Sequence, residues 1–308
     1  MKYAPIVLFV YNRPYHTRRT LEALSKNELA AQSDLFIFAD GAKKNATSEQ
    51  LLQIEETRKV IREKQWCKNV EITESPENKG LADSIINGVT KIVNQYGKII
   101  VLEDDLLTGK YFLNYMNEAL DKYENEDKVI SIHGFMYEHS KPLQETFFIR
   151  GADCWGWATW KRGWAFFNSD GRKLLKQIKE QKLEKQFDLD GVYDYVKMLK
   201  NQIKGKNDSW AIRWHASAFL ADKLTLYPSK SLIVNFGFDG SGTHCNKIQM
   251  KFNKDYENTK IKIEEIIIEE SQEARNVLKK ELRADTFLCR IFRKILAFTK
   301  NIMGYREV

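Results

Sequence analysis

Glu103, Asp104 and Asp105 follow directly on Ile99-Ile100-Val101-Leu102, so acids stand in a row at the end of a run that reads as a buried strand. Neighbouring ionised carboxylates repel one another, and beside a core they also lose hydration. Two readings account for such a group. The continuation "DDLLTGKYFLNYM" fits a helix N-cap with first-turn charge, since acids are favoured at the positive end of a helix dipole. Alternatively the acids hold a hard divalent cation, which takes carboxylate oxygens and bridges the phosphates of a nucleotide.

Three further stretches carry chemistry-bearing residues. In "NDSWAIRWHASAF", Asp208 heads a helix with Trp210, Ile212 and Trp214, and is either its N-cap or a free acid at the helix mouth. Arg213, one turn on, neutralises a phosphate or pairs with an acid. In "RGADCWGWATWKRGW", Asp153 precedes Trp155, Trp157 and Trp160, with Gly156 between the first two indoles. Tryptophan is usually core, but an extended, glycine-bearing loop also presents indole faces on which sugar rings stack. In "GFDGSGTHC", Gly237, Gly240 and Gly242 permit tight turns and movement before His244.

The elements that must position these residues are legible over the first half of the chain. "PIVLFVYN", "SDLFIFAD", "VEITES" and "KIIVLED" read as strands, and the stretches between them as helices with apolar residues at helical spacing, such as Leu81, Ile85, Ile86, Val89 and Ile92. Short, nearly all-apolar strands alternating with helices predict an α/β fold with a mostly parallel sheet covered on both faces. In such sheets ligands bind beyond the carboxyl ends of the strands. Tyr11-Asn12-Arg13, Asp40 and Glu103-Asp104-Asp105 all fall at such ends. An extended, aromatic region then runs from about Ser131 to Gly163, a helical stretch from about Arg172 to Lys204, and after His244 the chain becomes strongly charged and reads as helical. The expected division is a domain over 1–245 and a charged helical C-terminal extension over 246–308.

The formal net charge is +7, which suits an anionic partner such as a nucleotide or phospholipid. Cys67, Cys154, Cys245 and Cys289 form no C-x-x-C pair, so a zinc knuckle and a disulfide framework are unsupported. No apolar run is long enough to span a bilayer, and Pro5 to Val10 is too short for a signal-peptide core, so the expectation is a cytoplasmic protein. Membrane contact would be peripheral: in "DTFLCRIFRKILAFTKNIM", Phe287, Leu288, Ile291, Phe292, Ile295, Leu296, Phe298 and Ile302 share one half of a helical wheel, and Arg290, Arg293, Lys294 and Lys300 the other. That is the pattern of an interfacial helix on anionic lipid, or of a helix docked on protein.

In their order along the chain, "PIVLFVYNRP", "FADGAK", "ENKGLADSIINGV" and "VLEDDL" resemble the nucleotide-sugar half of GT-A glycosyltransferases, a Rossmann-like fold. "LEDDL" looks like the Glu-Asp-Asp motif of N-acetylglucosaminyltransferase I-like enzymes, and the "RGADCWGW" and "GFDGSGTHC" blocks look like bacterial family-2-type enzymes of capsule or O-antigen synthesis. The resemblance implies a metal-dependent transfer of sugar from a nucleotide-diphosphate sugar, a UDP-sugar by preference, to a glycan or lipid-linked glycan hydroxyl, with inversion. It implies donor contacts from Tyr11, Asn12 and Arg13 at base, ribose and phosphate, and from Asp40, Lys79, Glu103 and Asp104. Asp105, with His244, would bind Mn2+ or Mg2+. Asp208 would be the general base that takes the acceptor's proton, with Asp153 its rival. Asp153, Trp155, Trp157 and Arg213 would meet the acceptor.

Two other classes compete. Nucleotidyltransferases that act on sugar phosphates share a similar half-domain but open with a glycine-rich basic loop, where this chain has "VYNRPYH". A non-catalytic module for anionic surfaces would explain the charge alone. Nucleic acid is disfavoured, because the gathered acids repel a phosphodiester chain.

Overall fold

The computed structural model describes residues 3–239 and 255–284. Its elements run β1 (Ile6–Val10), α1 (Pro14–Ser25), β2 (Asp34–Ala39), α2 (Ser48–Val60), β3 (Asn69–Glu74), α3 (Leu81–Tyr96), β4 (Lys98–Glu103), β5 (Leu106–Thr108), α4 (Phe112–Lys122), β6 (Val129–His133), β7 (Thr146–Arg150), β8 (Trp157–Trp160) and α5 (Lys161–Trp164). They continue with α6 (Gly171–Glu180), α7 (Glu184–Phe187), α8 (Tyr195–Ile203), α9 (Trp210–Leu220), β9 (Leu224–Pro228) and β10 (Ile233–Asn235).

Eight strands form one sheet in the order β3-β2-β1-β4-β8-β6-β9-β7. Pairings β3-β2, β2-β1, β1-β4 and β6-β9 are parallel, while β8 and β7 run against their neighbours. Apart from the exposed edge strand β3, the sheet is buried on both sides, as the apolar strands predict. Along β1, Ile6, Leu8 and Val10 face a core shared with α1, α2 and α4, while Val7 and Phe9 face one shared with α3 and α9. The alternation repeats in β4, with Ile100 and Leu102 on the first side and Ile99 and Val101 on the second. This is the mostly parallel α/β architecture read from the sequence.

Local signals set the helix starts. Pro14 opens α1 with its φ already helical and no N–H to waste. Thr47 and Gln50 form a reciprocal capping box on α2. Gly80 precedes α3 at φ +80, a backbone state that L side chains avoid.

Two expectations are corrected. The helical stretch around 172–204 is broken into α6, α7 and α8, with positive φ at Lys182, Leu189, Asp190 and Gly191 marking the breaks. The helical reading after His244 holds for 272–284, whereas 259–270 is not helical and sends Ile261 and Ile263 into the first core. Ala274, Val277 and Leu278 of the terminal helix pack on Met136, Phe147, Ile149 and Tyr227. Among the described residues no helix is long and apolar enough to cross a membrane. The amphipathic 287–302 segment lies outside the described residues.

Candidate active site

Parallel pairing of β1 with β4, with Phe9 opposite Glu103, brings the loop after β1 beside the acids. Arg13 Nη1 lies 3.2 Å from Asp104 Oδ1 and 3.0 Å from Asp105 Oδ2, so one guanidinium bridges both carboxylates. Burial works against its charge, but Asp104 and Asp105 outweigh that and hold Arg13 above its usual range. Its Nε and Nη2 are buried and have no hydrogen-bond partner among the described residues.

The acids themselves are strained electrically. Withdrawal from water, then repulsion from Asp105 and Asp104, pushes the Glu103 carboxyl up to about 8, although part of its side chain stays open to solvent. Asp104 is pushed up to about 7 by burial and then by Asp105. Its backbone carbonyl accepts from Thr20 Oγ1 at 2.8 Å, which fixes the acid turn against α1. Asp105 is no helix N-cap: β5 follows it at once, and α4 starts after Tyr111.

A segment from the far end of the domain covers this turn. The antiparallel pairing of β10 with β5 sets Asn235 opposite Leu106 and carries residues 236–239 over Asp105. Phe236 N–H donates to the Asp105 carbonyl at 3.0 Å, and the Phe236 ring stacks on His16 with centroids 4.8 Å apart. His16 Nε2 sits 3.1 Å from Asp239 Oδ2, within ion-pair reach. Burial, and then Arg13, lowers the His16 pKa. The sequence reading passed over His16. Its signal was a histidine in the first turn of the helix that follows "VYNRP".

Beside Arg13 opens a cleft of about 660 Å³ lined by Asn12, Arg13, Pro14, Tyr15, His16, Thr47, Glu49, Gln50 and Gln53. Its size suits a small-molecule ligand, and the N-termini of α1 and α2 meet there. Asn12 and Arg13 stand on its wall at the end of β1. Tyr11 is partly buried, and that burial raises its phenol's pKa.

Asp40 has a different role from the one expected. Its Oδ1 accepts from Gly41 N at 2.9 Å and Lys79 N at 2.9 Å, and its Oδ2 from Asn78 Nδ2 at 2.9 Å and Gly80 N at 3.0 Å. These donors fill the acceptor positions of both oxygens. Asp40 is a clamp that fixes the 78–80 turn, with little capacity left for a nucleotide. Lys79 is exposed on that turn.

On the other flank of the acids, antiparallel β8 begins where β4 ends, with Trp157 opposite Val101. The loop before β8 carries Cys154, whose thiol is raised by burial and then by the charges of Asp153, Glu103 and Asp105, so it lies within electrostatic reach of the acids. Asp153 Oδ1 accepts from Cys154 N at 2.7 Å, and Oδ2 is 3.4 Å from the Tyr227 hydroxyl and 3.9 Å from His133 Nε2. Its side chain is 44% exposed, so the carboxylate reaches solvent. Trp155 is partly exposed and packs edge-on against Phe135 and Phe238.

Trp157 and Arg213 do not fit the acceptor role. Trp157 is fully buried among Trp164, Trp210 and Trp214, and Trp160 is buried in the opposite core, because residues three apart on a strand face opposite ways. Arg213 is buried too, with its guanidinium directed at the Ser209 and Ser169 carbonyls. Nor does Asp208 cap its helix: Ser209 does, accepting from Ile212 N at 3.2 Å. Asp208 is 67% exposed, with Oδ1 3.5 Å from Arg213 Nη2.

Among the described residues no three His, Cys, Asp or Glu side chains are grouped to hold a metal ion. The donor chemistry at the acid turn nevertheless fits one. Asp104 and Asp105 offer hard oxygens, and burial, then repulsion between the acids, raises Glu103 and Asp104 with Arg13 opposing. His244, Gly240 and Gly242 lie outside the described residues.

The family model described as Nucleotidyl transferase matches residues 34–144, which is less than half of the chain. That match leaves glycosyl and nucleotidyl transfer both open. No curated protein matches. Among solved structures, Staphylococcus aureus TarS is similar at 13% identity and a TM-score of 0.31, over 49% of this chain and 25% of TarS. UDP-glucose pyrophosphorylase complexed with UDP-glucose is similar at 13% identity and a TM-score of 0.35, over 73% of this chain and 90% of that one. A cytidylyltransferase from Leptospira borgpetersenii follows at 9% identity and 0.30, over 44% and 58%. Likenesses at these TM-scores carry no argument about the reaction.

Proposed function

We propose that this protein transfers a sugar from a nucleotide-diphosphate sugar to a hydroxyl of a glycan or lipid-linked glycan, with inversion. The observation that carries this reading is the half-exposed Asp153 carboxylate on the flank of the acid turn away from the Asn12–Gln53 cleft. A neutral hydroxyl needs a base to take its proton as it attacks. The phosphate nucleophile of a nucleotidyltransferase is already ionised, and a carboxylate beside it would repel it. The absence of glycine from "VYNRPYH" points the same way.

In this reading the nucleotide occupies the cleft, with Arg13 on its wall as the partner of the phosphates. Asp105, with Asp104 and His244, would hold a divalent cation, which when bound offsets charge on the departing diphosphate. Asp153 takes the acceptor proton while the acceptor oxygen attacks the anomeric carbon from the face opposite the diphosphate. Asp208, the base that the family resemblance implies, is the second candidate. What favours Asp153 is its place next to Cys154, which feels the charge of Glu103 and Asp105, and its contacts with Tyr227 and His133; Asp208 faces an arginine at the mouth of α9.

The test is turnover of UDP-sugars by the wild type and by Asp153→Asn and Asp208→Asn. Loss of two to four orders of magnitude at constant UDP affinity marks the base. Formation of pyrophosphate from a nucleoside triphosphate and a sugar 1-phosphate, with no hydrolysis of any nucleotide sugar, would instead establish nucleotidyl transfer.

A further inference from the structure

Asp153 lies in a loop, and a loop carboxylate that acts on an acceptor must be held from outside. The loop is bounded by Gly151 at φ +99 and Gly156 at φ +58, and a Cβ at Gly151 would come within 2.5 Å of the His215 ring. Asp153 Oδ1 is already engaged by the next backbone N–H. Oδ2 is left, and two strand ends converge on it.

Those ends are set by the parallel pairing of β6 with β9, in which Ser131 matches Thr225 and Ile132 matches Leu226. One residue further on, His133 stands beside Tyr227, with ring centroids 4.7 Å apart. His133 is 1% exposed, and its Nδ1 has no hydrogen-bond partner among the described residues. An apolar ring would fill that place without the cost of a buried unpaired polar group. Burial holds its imidazole towards the neutral form, with Asp153 opposing the shift. Tyr227 is buried as well and is braced from behind. It stacks on Phe147 and packs on Ala274, Val277 and Leu278, and that helix is tied down by Arg275 at 2.6 Å from Asp190.

We propose that Tyr227 and His133 are a positioning pair for Asp153, in which the Tyr227 hydroxyl donates to Oδ2 and the His133 ring fixes the Tyr227 ring. This rests on the reading of Asp153 as the base of glycosyl transfer. In the step itself the acceptor O–H proton moves to Asp153. The oxygen's electron pair forms the bond to the anomeric carbon, and the bond from that carbon to the diphosphate oxygen breaks, its electrons leaving with the diphosphate. Tyr227 keeps its proton throughout. Its contribution is to limit the carboxylate to the orientation that meets the acceptor.

A double-mutant cycle between Asp153→Asn and Tyr227→Phe tests this, read as hydrolysis of UDP-N-acetylglucosamine and UDP-glucose to water. Tyr227→Phe keeps the ring, and melting temperature and UDP affinity report that fold and donor site are intact. The expected result is a fall in kcat of about tenfold for Tyr227→Phe with donor KM unchanged, and no further fall when it is added to Asp153→Asn. His133→Phe should lower kcat in the same way and be equally silent in the Asp153→Asn background. Wild-type kcat in Tyr227→Phe, or additive losses in the double variant, overturns the pair while leaving Asp153 as the base. Undiminished hydrolysis by Asp153→Asn, or no turnover of either donor, overturns the parent reading and the pair with it.

Discussion

Gly237 lies against the Asp105 carboxylate so closely that a Cβ there would come within 2.1 Å of Oδ2. The only side chain tolerated over this acid is therefore none at all. The contact places the 236–239 segment within reach of whatever the acid turn binds.

Replacing Gly237 with Ala should displace either the segment or Asp105. Turnover is expected to fall at least tenfold, about 1.4 kcal/mol in the barrier, with little change in melting temperature. Steady-state kinetics beside a thermal melt would check this; equal activity in both proteins would mean that the contact has no part in the site.

The acid turn should leave a mark on the pH dependence of stability. The Glu103 carboxyl keeps its proton up to about 8 in the folded protein, but unfolded it ionises in the ordinary carboxylate range. Between those values the folded state binds the extra proton, so this contribution to stability is full at low pH and is lost as pH rises through about 8. Asp104, pushed up to about 7, acts in the same sense. Glu103→Gln should thus melt about 3 °C or more above the wild type near pH 9, and close to it near pH 4. A gain that is constant with pH would refute the assignment.

Arg13 is the internal counter-charge of Asp104 and Asp105. Removing one partner of a largely buried pair leaves the other uncompensated, at a cost of about 3–5 kcal/mol. Arg13→Gln should be destabilised most above neutral pH and should lose UDP affinity by at least tenfold, as followed by denaturant titration and calorimetry. Unchanged UDP binding would remove Arg13 from the phosphate site.

Asp40→Ala tests the clamp. It frees the Lys79 and Gly80 N–H groups and Asn78 Nδ2 together. A loss of about 2–4 kcal/mol is expected in urea unfolding, with UDP affinity falling only as the 78–80 turn loosens. A stability equal to wild type with UDP binding abolished would restore the direct nucleotide contact.

What the sequence alone determined was whatever lies within one strand or one turn. Ile99–Leu102 running into Glu103-Asp104-Asp105 specifies a buried strand with acids at its mouth, because strand period, burial and solvation all act over a few residues. The same locality puts Asn12 and Arg13 at the carboxyl edge of the sheet, since they follow directly on a first parallel strand. Tertiary structure decided which candidates are spent on the protein itself. Asp40 is saturated by a turn nearly forty residues away, and Trp157 is enclosed by indoles from α5 and α9. Asp208 gives up its helix cap to its neighbour Ser209, a choice of backbone angle that the residue types leave open. His133 and Tyr227 reach Asp153 only because β6 and β9 pair in one register. Hydrogen-bond saturation and burial are sums over neighbours from the whole chain, and sheet pairing sets which neighbours those are.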